Sequence, residues 1–520
     1  MKKTSYFFTI VFLIFFTNSY AQTQVDALRY SQNIYGGTAK SIAMGNSLSA
    51  VGADMTNLTV NPAGIAVFKK SQMTFTPTFL VSNTDGTMFE NTRKDSRFDV
   101  SISNWGIVGA FPGVGLWKQI SFGFTYNKTN DFTQQFSVDG KNNIGSMIDF
   151  FVYNDNNSYV GTAGDIDRAS KFREDLAYET YIVNYDEDNL EYYSHVTDAN
   201  LYGETQRKIV TRRGGSGEYD FTFGGNLNNI LYLGGTMGIT SVRYIQTSKY
   251  TESNFTEVDV EGVRMDPENF AFNEDLTTRG TGFNFKFGML FTPVSFIRLG
   301  GAIHSSSFYS MHDTFETSME SKFYTPDVNN DYDYYWSSDP NSFDWRLRTP
   351  FRANAGIAFV LDSYEIGSLY TLPMTFSADY EYVDFSRAKL DANPDDYDFV
   401  NENIAIANSY QAVQNLHFGA EISFGIISVR GGYQIYGSPY KGDAAFENAT
   451  VGYSGGIGFN GKHVFLDLAY SAMQNNEKFY LYDAQANFPN DPMGSVYAPE
   501  PVADLKHINY FATMTLGVRF

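Results

Sequence analysis

The chain has 520 residues, including 46 Phe, 37 Tyr and 45 Gly but no Cys, and a formal net charge of −21. So acidic a chain has no basic stripe with which to displace counterions from phosphates, which excludes a nucleic-acid partner. The missing cysteines exclude disulfides, thiolate nucleophiles and cysteine-ligated zinc, and aromatic segments broken by glycine read as all-β rather than disordered or coiled-coil.

At the N-terminus Lys2 and Lys3 precede the apolar run Tyr6 to Phe16, and Ser19-Tyr20-Ala21 supplies a small-x-small cleavage site. This is the pattern of a secretory signal peptide over residues 1–21, with a run too short to cross a bilayer. The mature chain is expected to start at Gln22. Residues 22–70 then stand outside any strand pattern: Ala39 to Phe68 is mostly small residues and closes on the turn Asn61-Pro62-Ala63-Gly64.

From residue 71 polarity alternates strictly. Phe283, Phe285, Phe287, Met289 and Phe291 share one face against Gly282, Asn284, Lys286 and Gly288; the final stretch repeats this through Ile508, Tyr510, Ala512, Met514, Leu516, Val518 and Phe520. About fourteen such segments are predicted, near 71–83, 99–111, 119–131, 217–227, 230–249, 280–292, 295–308, 346–362, 372–388, 411–425, 427–438, 448–460, 462–475 and 505–520. Short connections carry turn chemistry, such as Pro112-Gly113, Asn228-Asn229 and Asn460-Gly461; long acidic ones fall near 132–216, 250–279, 309–345, 389–410 and 476–504. A soluble β-sandwich or pair of barrels also alternates, but it solvates its second face heavily. Here that face is Gly, Thr, Ser and Asn with scattered charges. The expected fold is therefore an all-β transmembrane antiparallel barrel of an even strand number, residues 71–520, with long extracellular loops.

The stretch Ala39 to Phe68 resembles the N-terminal plug of the FadL-type outer-membrane transporters of long-chain fatty acids and other hydrophobic compounds. The matching features are Ala43-Met44-Gly45, Gly52-Ala53-Asp54 and Asn61-Pro62-Ala63-Gly64; Asn415 to Tyr440 and the terminal "FATMTLGVRF" also look like this family. The resemblance implies a fourteen-stranded barrel in a Gram-negative outer membrane with residues 22–70 as a plug in the lumen. The terminal Phe520 looks like the recognition signal for the barrel-assembly machinery. Small residues suit a crowded lumen: Pro62 stiffens the exit turn, Asn61 bonds local backbone, and Gly64 tolerates unusual dihedrals.

Family members pass apolar ligands without energy input, past the plug and out sideways through a kink in the third strand. Carried over, the wall kink falls at Gly123, although the residue by itself reads better as a plain lumen-facing glycine. If the eighth strand is unbroken, Arg346, Arg348 and Arg352 all point into the lumen, joined there by Arg430, Lys286 and Arg298 and opposed by Asp379, Glu381 and Glu421. One of these arginines is suited to a ligand carboxylate, and a lumen ion-pair network tethering the plug is the competing role.

Gly452 to Gly456 fits G-x-S-x-G and Gly456 to Gly461 fits G-x-G-x-x-G, but both need a following helix where a strand is predicted. The six histidines lack metal spacing, and Asp186 to Asp188 or Asp331 and Asp333 read as solvated loop rather than a calcium site. No enzyme activity, cofactor or metal is expected. The partners are hydrophobic small molecules and outer-membrane lipids. The alternative function is a non-transporting barrel of the same family, a shuttle for surface proteins in a type IX secretion system, whose partner is a secreted protein. The segment 132–216 shows no evident apolar groove for capturing a ligand.

Overall fold

The alternating segments become strands β1 Gln72–Met88, β2 Asn91–Pro112, β3 Trp117–Asp131, β4 Thr205–Leu227, β5 Leu231–Ser253, β6 Val263–Val294, β7 Ile297–His304, β8 Arg352–Leu361, β9 Met374–Asp384, β10 Ala412–Phe424, β11 Ile427–Tyr436, β12 Thr450–Asn460, β13 Val464–Tyr480 and β14 Val502–Arg519. Each pairs antiparallel with the next, and β14 returns to β1 with Arg519 opposite Gln72. Through these fourteen strands the sheet closes on itself as a barrel. This computed structural model describes residues 23–158, 172–195, 202–256, 258–260, 263–326, 330–362, 365–366, 369–370, 372–392, 397–444, 446, 448–482 and 501–520. The expected signal peptide, 1–21, lies outside the described residues.

Period two decides which side chains leave the barrel. Phe285 is 55% exposed while Asn284 and Lys286 are 4% and 6%. Met73, Phe122, Phe223, Ile239 and Leu468 repeat the outward pattern around the wall. The result is an apolar belt that would aggregate in water and is at home in hydrocarbon.

At one end the connections are tight. Asn228 and Asn229, between β4 and β5, both adopt positive φ, which asparagine tolerates better than most residues. At the other end, much of what the sequence presents as loop is wall. β4 begins at Thr205 and β6 runs for 32 residues, so the barrel stands well above its belt.

Strands seven to nine break at one height. β7 ends at His304 and the wall resumes as Phe308–Thr325; Asn341–Arg348 descends beside it and stops before β8; β9 ends at Asp384 and resumes as Lys389–Ala392. Each break leaves an even number of residues between inward-facing positions, where a regular strand leaves one: four between His304 and Tyr309, four between Leu347 and Arg352, and two between Phe385 and Ala388. Such an insertion flips the faces and bends the strand. Here it forms a seam across three neighbours, marked by Ser305 to Ser307, Thr349 to Phe351 and Phe385 to Arg387. The seam corrects the expected arginine array. Because the strand is interrupted at Thr349-Pro350, Arg352 faces the lumen but Arg346 and Arg348 are exposed on the outer wall, with Trp345 and Leu347 inside in their place.

Candidate functional site: a lumen stoppered at both ends

The lower stopper is built by α2 Ala39–Ala43, α3 Asn57–Val60 and the 3-10 turn Pro62–Val67. Asn61 organises it. Its side-chain oxygen accepts from the amide of Ala63, and its side-chain amide donates to the carbonyls of Ser49 at 2.7 Å and Met289 on β6 at 3.2 Å. Pro62 opens the 3-10 turn, where a missing N–H costs nothing. Gly64 does not take a left-handed backbone; a Cβ there would lie 2.6 Å from the side-chain nitrogen of Asn57. Close packing, not an unusual dihedral, selects glycine at this position.

The wall is smoothed to receive the plug. A Cβ at Gly288 would lie 2.0 Å from Asn61 Oδ1, at Gly234 2.3 Å from the Pro62 carbonyl oxygen, and at Gly300 2.3 Å from the Ser49 carbonyl oxygen. Across the lumen, Gly419, Gly432 and Gly456 meet Met44, Gly45 and Ala43 in the same way. Gly456, where the two dismissed motif matches overlap, thus seats the plug. Gly123 belongs to this lining: a Cβ would press on Ile65 and Leu58 at 2.9 Å. Around it the register is continuous, with Val108 on one side and Thr222 on the other; the shifts in the pairing of β3 with β4 fall at Trp117/Gln119 and Lys128/Asn130, so the wall is not interrupted at Gly123.

Ion pairs tie plug to wall. Lys286 donates to Glu218 at 2.7 Å and to Asp220 at 3.4 Å, and Asp220 accepts from Thr59 of the plug. Arg352 pairs with Glu381 at 2.8 Å and donates to the carbonyl of Ser31. Arg430 pairs with Asp467 at 2.5 Å and with Glu421, whose carboxylate also lies 4.0 Å from Lys40. Arg352 and Arg430 are thereby occupied by protein carboxylates, and Arg298 donates to the Val51 carbonyl of the plug. Asp379, expected in the lumen, accepts from the Ser49 amide at 2.7 Å. Sequence reasoning passed over further tethers: His304 and Asn354 reach the Val60 carbonyl at 2.9 and 3.2 Å, and His417 reaches that of Gly45 at 3.0 Å. Their signal was inward register; histidines were tested only for metal spacing. Among the described residues no cluster of three metal-ligating side chains occurs.

Above the plug the lumen turns apolar. Helix α1, Gln24–Ser31, starts on a capping box between Thr23 and Asp26 and packs Ala27, Leu28 and Tyr30 among Phe132, Tyr244, Tyr309, Trp345, Leu347 and Val383. Arg29 stacks on the Tyr244 ring at 4.4 Å. The inner sides of the seam, Leu347, Phe385 and Leu390, wall this chamber.

The upper stopper comes from within 132–216. Helices α4, Met147–Ser158, and α5, Glu174–Glu179, and the small hairpin Asn184–Asp186 with Glu191–Tyr193 lower Ile148, Phe151, Leu176, Val183 and Tyr192 onto Phe136, Tyr250, Phe270, Phe272 and Met319. The segment 132–216, which shows no evident apolar groove in sequence, carries an apolar stripe in the fold, turned inward as a lid. Asp155 on α4 is fully buried with neither carboxylate oxygen hydrogen-bonded, and burial, reinforced by Glu174 and Asp175, pushes its carboxyl up to about 8. Asp186 instead accepts from the amides of Asp188 and Asn189, an ordinary turn. A cavity of about 140 Å³ beside Lys40, Asp54, Glu421, Arg430 and Asp467 is polar and lies below the chamber, beside the plug.

No family model and no curated protein matches the chain. Among solved structures, a FadL homologue of Pseudomonas aeruginosa aligns over 94% of this chain and 100% of its own at 10% identity, with a TM-score of 0.52. The Pseudomonas putida toluene transporter TodX and the monoaromatic hydrocarbon channel CymD each align over 93% of this chain, and over 99% and 98% of their own, at 10% identity with TM-scores of 0.46 and 0.44. Of the three, only the first alignment is close enough to bear on architecture. Together with the closed register and the inserted N-terminal helices, it shows that this chain has the FadL-like fold.

Proposed function

We propose that the chain belongs to the FadL-type transporters and is an outer-membrane channel for passive uptake of hydrophobic compounds, with long-chain fatty acids as the leading substrate class. The observation that carries this reading is the aromatic chamber around Trp345 and Tyr244, enclosed between a polar plug and an apolar lid and filled by the chain's own α1. An apolar solute that displaces α1 gains a burial site of matching chemistry. Lateral exit fits the seam of β7–β9 better than Gly123, because the seam lines the chamber inside and opens on Phe308 and Phe351 outside. The barrel is expected to be inserted by the barrel-assembly machinery, and no catalytic step is assigned to it.

The alternative, a surface-protein shuttle, draws on the strand Asn330–Ser337. It pairs on one side with Ser318–Thr325, while Tyr335 and Trp336 are exposed and its other edge has no partner strand among the described residues. One experiment separates the two. A strain lacking the protein should take up labelled oleate more slowly while exporting its surface proteins normally. Oleate uptake at the wild-type rate with surface proteins lost would reverse the assignment.

A further inference from the structure

We propose that the outer wall of β4–β6, just above the belt, docks the phosphorylated headgroup of an anionic lipid of the outer leaflet through Arg213, Arg243 and Arg279. The inference rests on the belt lying in a membrane and is independent of the cargo.

The first observation is charge sorting. In a chain of net charge −21, the outward positions of β4 and β5 above the belt carry Arg207, Arg213, Arg243 and Lys249 and no Asp or Glu. The second is register. Arg243 lies directly opposite Arg279, and Arg213 sits one rung higher on the adjoining strand, opposite Ile245. Like charges facing each other across a sheet destabilise it, since their Cβ atoms stand about 5 Å apart. All three side chains are exposed, and among the described residues none has a carboxylate at ion-pair distance. A bridging anion removes the repulsion, and a guanidinium fork suits a phosphate better than an ammonium does.

The third observation is height. Tyr219, Ile239 and Phe283 share the top rung of the belt, and Arg243 and Arg279 lie two outward rungs above it. Four residues along a tilted strand place the guanidinium groups about 10 Å above the hydrocarbon edge, which is headgroup depth. On β6 the outward carboxylate Asp275 stands a further two outward rungs up, opposite Glu316, while on the arginines' own rung, beyond β6, Asp344 is engaged by His312 at 2.7 Å. Within β4–β6 the bases thus stand at the level of lipid phosphates with the acid above them, which matches an anionic leaflet.

The test uses the full chain purified in detergent and titrated with bisphosphorylated lipid A, with the same lipid dephosphorylated, and with inorganic pyrophosphate, bound mass being read by native mass spectrometry. Wild-type protein should bind the bisphosphorylated lipid at least tenfold more tightly than the other two. The Arg243→Gln/Arg279→Gln protein should lose on the order of tenfold or more of that affinity, while Arg243→Lys/Arg279→Lys keeps most of it and Lys94→Gln, a surface change elsewhere, alters nothing. Folding of each variant is checked by heat-modifiable mobility. Equal affinity for phosphorylated and dephosphorylated lipid overturns the proposal, as does an unchanged affinity in the folded double-glutamine variant. Pyrophosphate binding as tightly as the lipid overturns the assignment to a lipid.

Discussion

Thr59 on the plug donates its hydroxyl to Asp220 on β4 at 2.5 Å, and Asp220 accepts from Lys286 on β6 at 3.4 Å. One buried cation thus bridges two wall carboxylates, Glu218 and Asp220, and through Thr59 holds the stopper in place. Lys286→Met leaves both carboxylates buried without a counterion, a change expected to cost roughly 3–5 kcal/mol. Urea unfolding of the reconstituted barrel measures it. Thr59→Val should leave the barrel transition nearly unchanged and raise solute leak, because it cuts only the tie to the plug.

The glycine lining predicts a separation between seating the plug and building the wall. Gly288→Val and Gly234→Val drive a side chain into Asn61 and the Pro62 carbonyl, whereas Gly431 faces open space. The first two proteins should assemble but admit small sugars in liposome swelling and expose residues 24–70 to protease. Gly431→Val should do neither. Identical behaviour of all three would refute the lining role.

Chamber occupancy by α1 sets an affinity that its removal should raise. With Ala27, Leu28 and Tyr30 gone, the binding-competent fraction rises, and an apparent affinity gain of about tenfold or more is expected. Quenching of tryptophan fluorescence by a brominated fatty acid reports it, since Trp345 lies fully buried in the chamber wall. Trp345→Phe should remove most of the quench.

The seam can be locked. Ser307 donates its amide to the Thr349 hydroxyl at 2.8 Å, and the Thr349 amide returns a bond to the Ser307 carbonyl at 3.0 Å. The chain has no cysteine of its own, so Ser307→Cys/Thr349→Cys gives a single disulfide across the seam at a backbone spacing that accommodates one. Oxidation should abolish oleate uptake and dithiothreitol should restore it. Full uptake by the oxidised protein would move the exit elsewhere.

The lid carries a pH dependence with a definite sign. Asp155 is held near 8 in the folded lid, above its unfolded value, so the folded form binds the extra proton between those limits. Its contribution to lid stability is therefore complete below about pH 4 and is lost as pH rises through about 8. The protection factor of residues 147–158, with the base-catalysed intrinsic rate divided out, should fall across that window in the wild type. In Asp155→Asn the protection factor should be flat.

Much of this was legible in the chain, for one physical reason. In a barrel each strand meets lipid on one side and lumen on the other, so a two-residue period writes the wall directly into residues such as Phe283, Phe285 and Phe287. The plug was legible too, because a segment confined in a narrow bore must be small, as Ala39 to Phe68 is. What the period could not report is where it slips. Thr349-Pro350 reverses the faces of one strand, placing Arg348 outside and Arg352 inside, and only pairing with Phe308–Thr325 and β7 reveals it. The lid stayed hidden because α4 and α5 acquire their apolar face from partners on β4, β5 and β6, a long way off in sequence. The opposition of Arg243 and Arg279 is likewise a fact of register between strands, which no single strand contains.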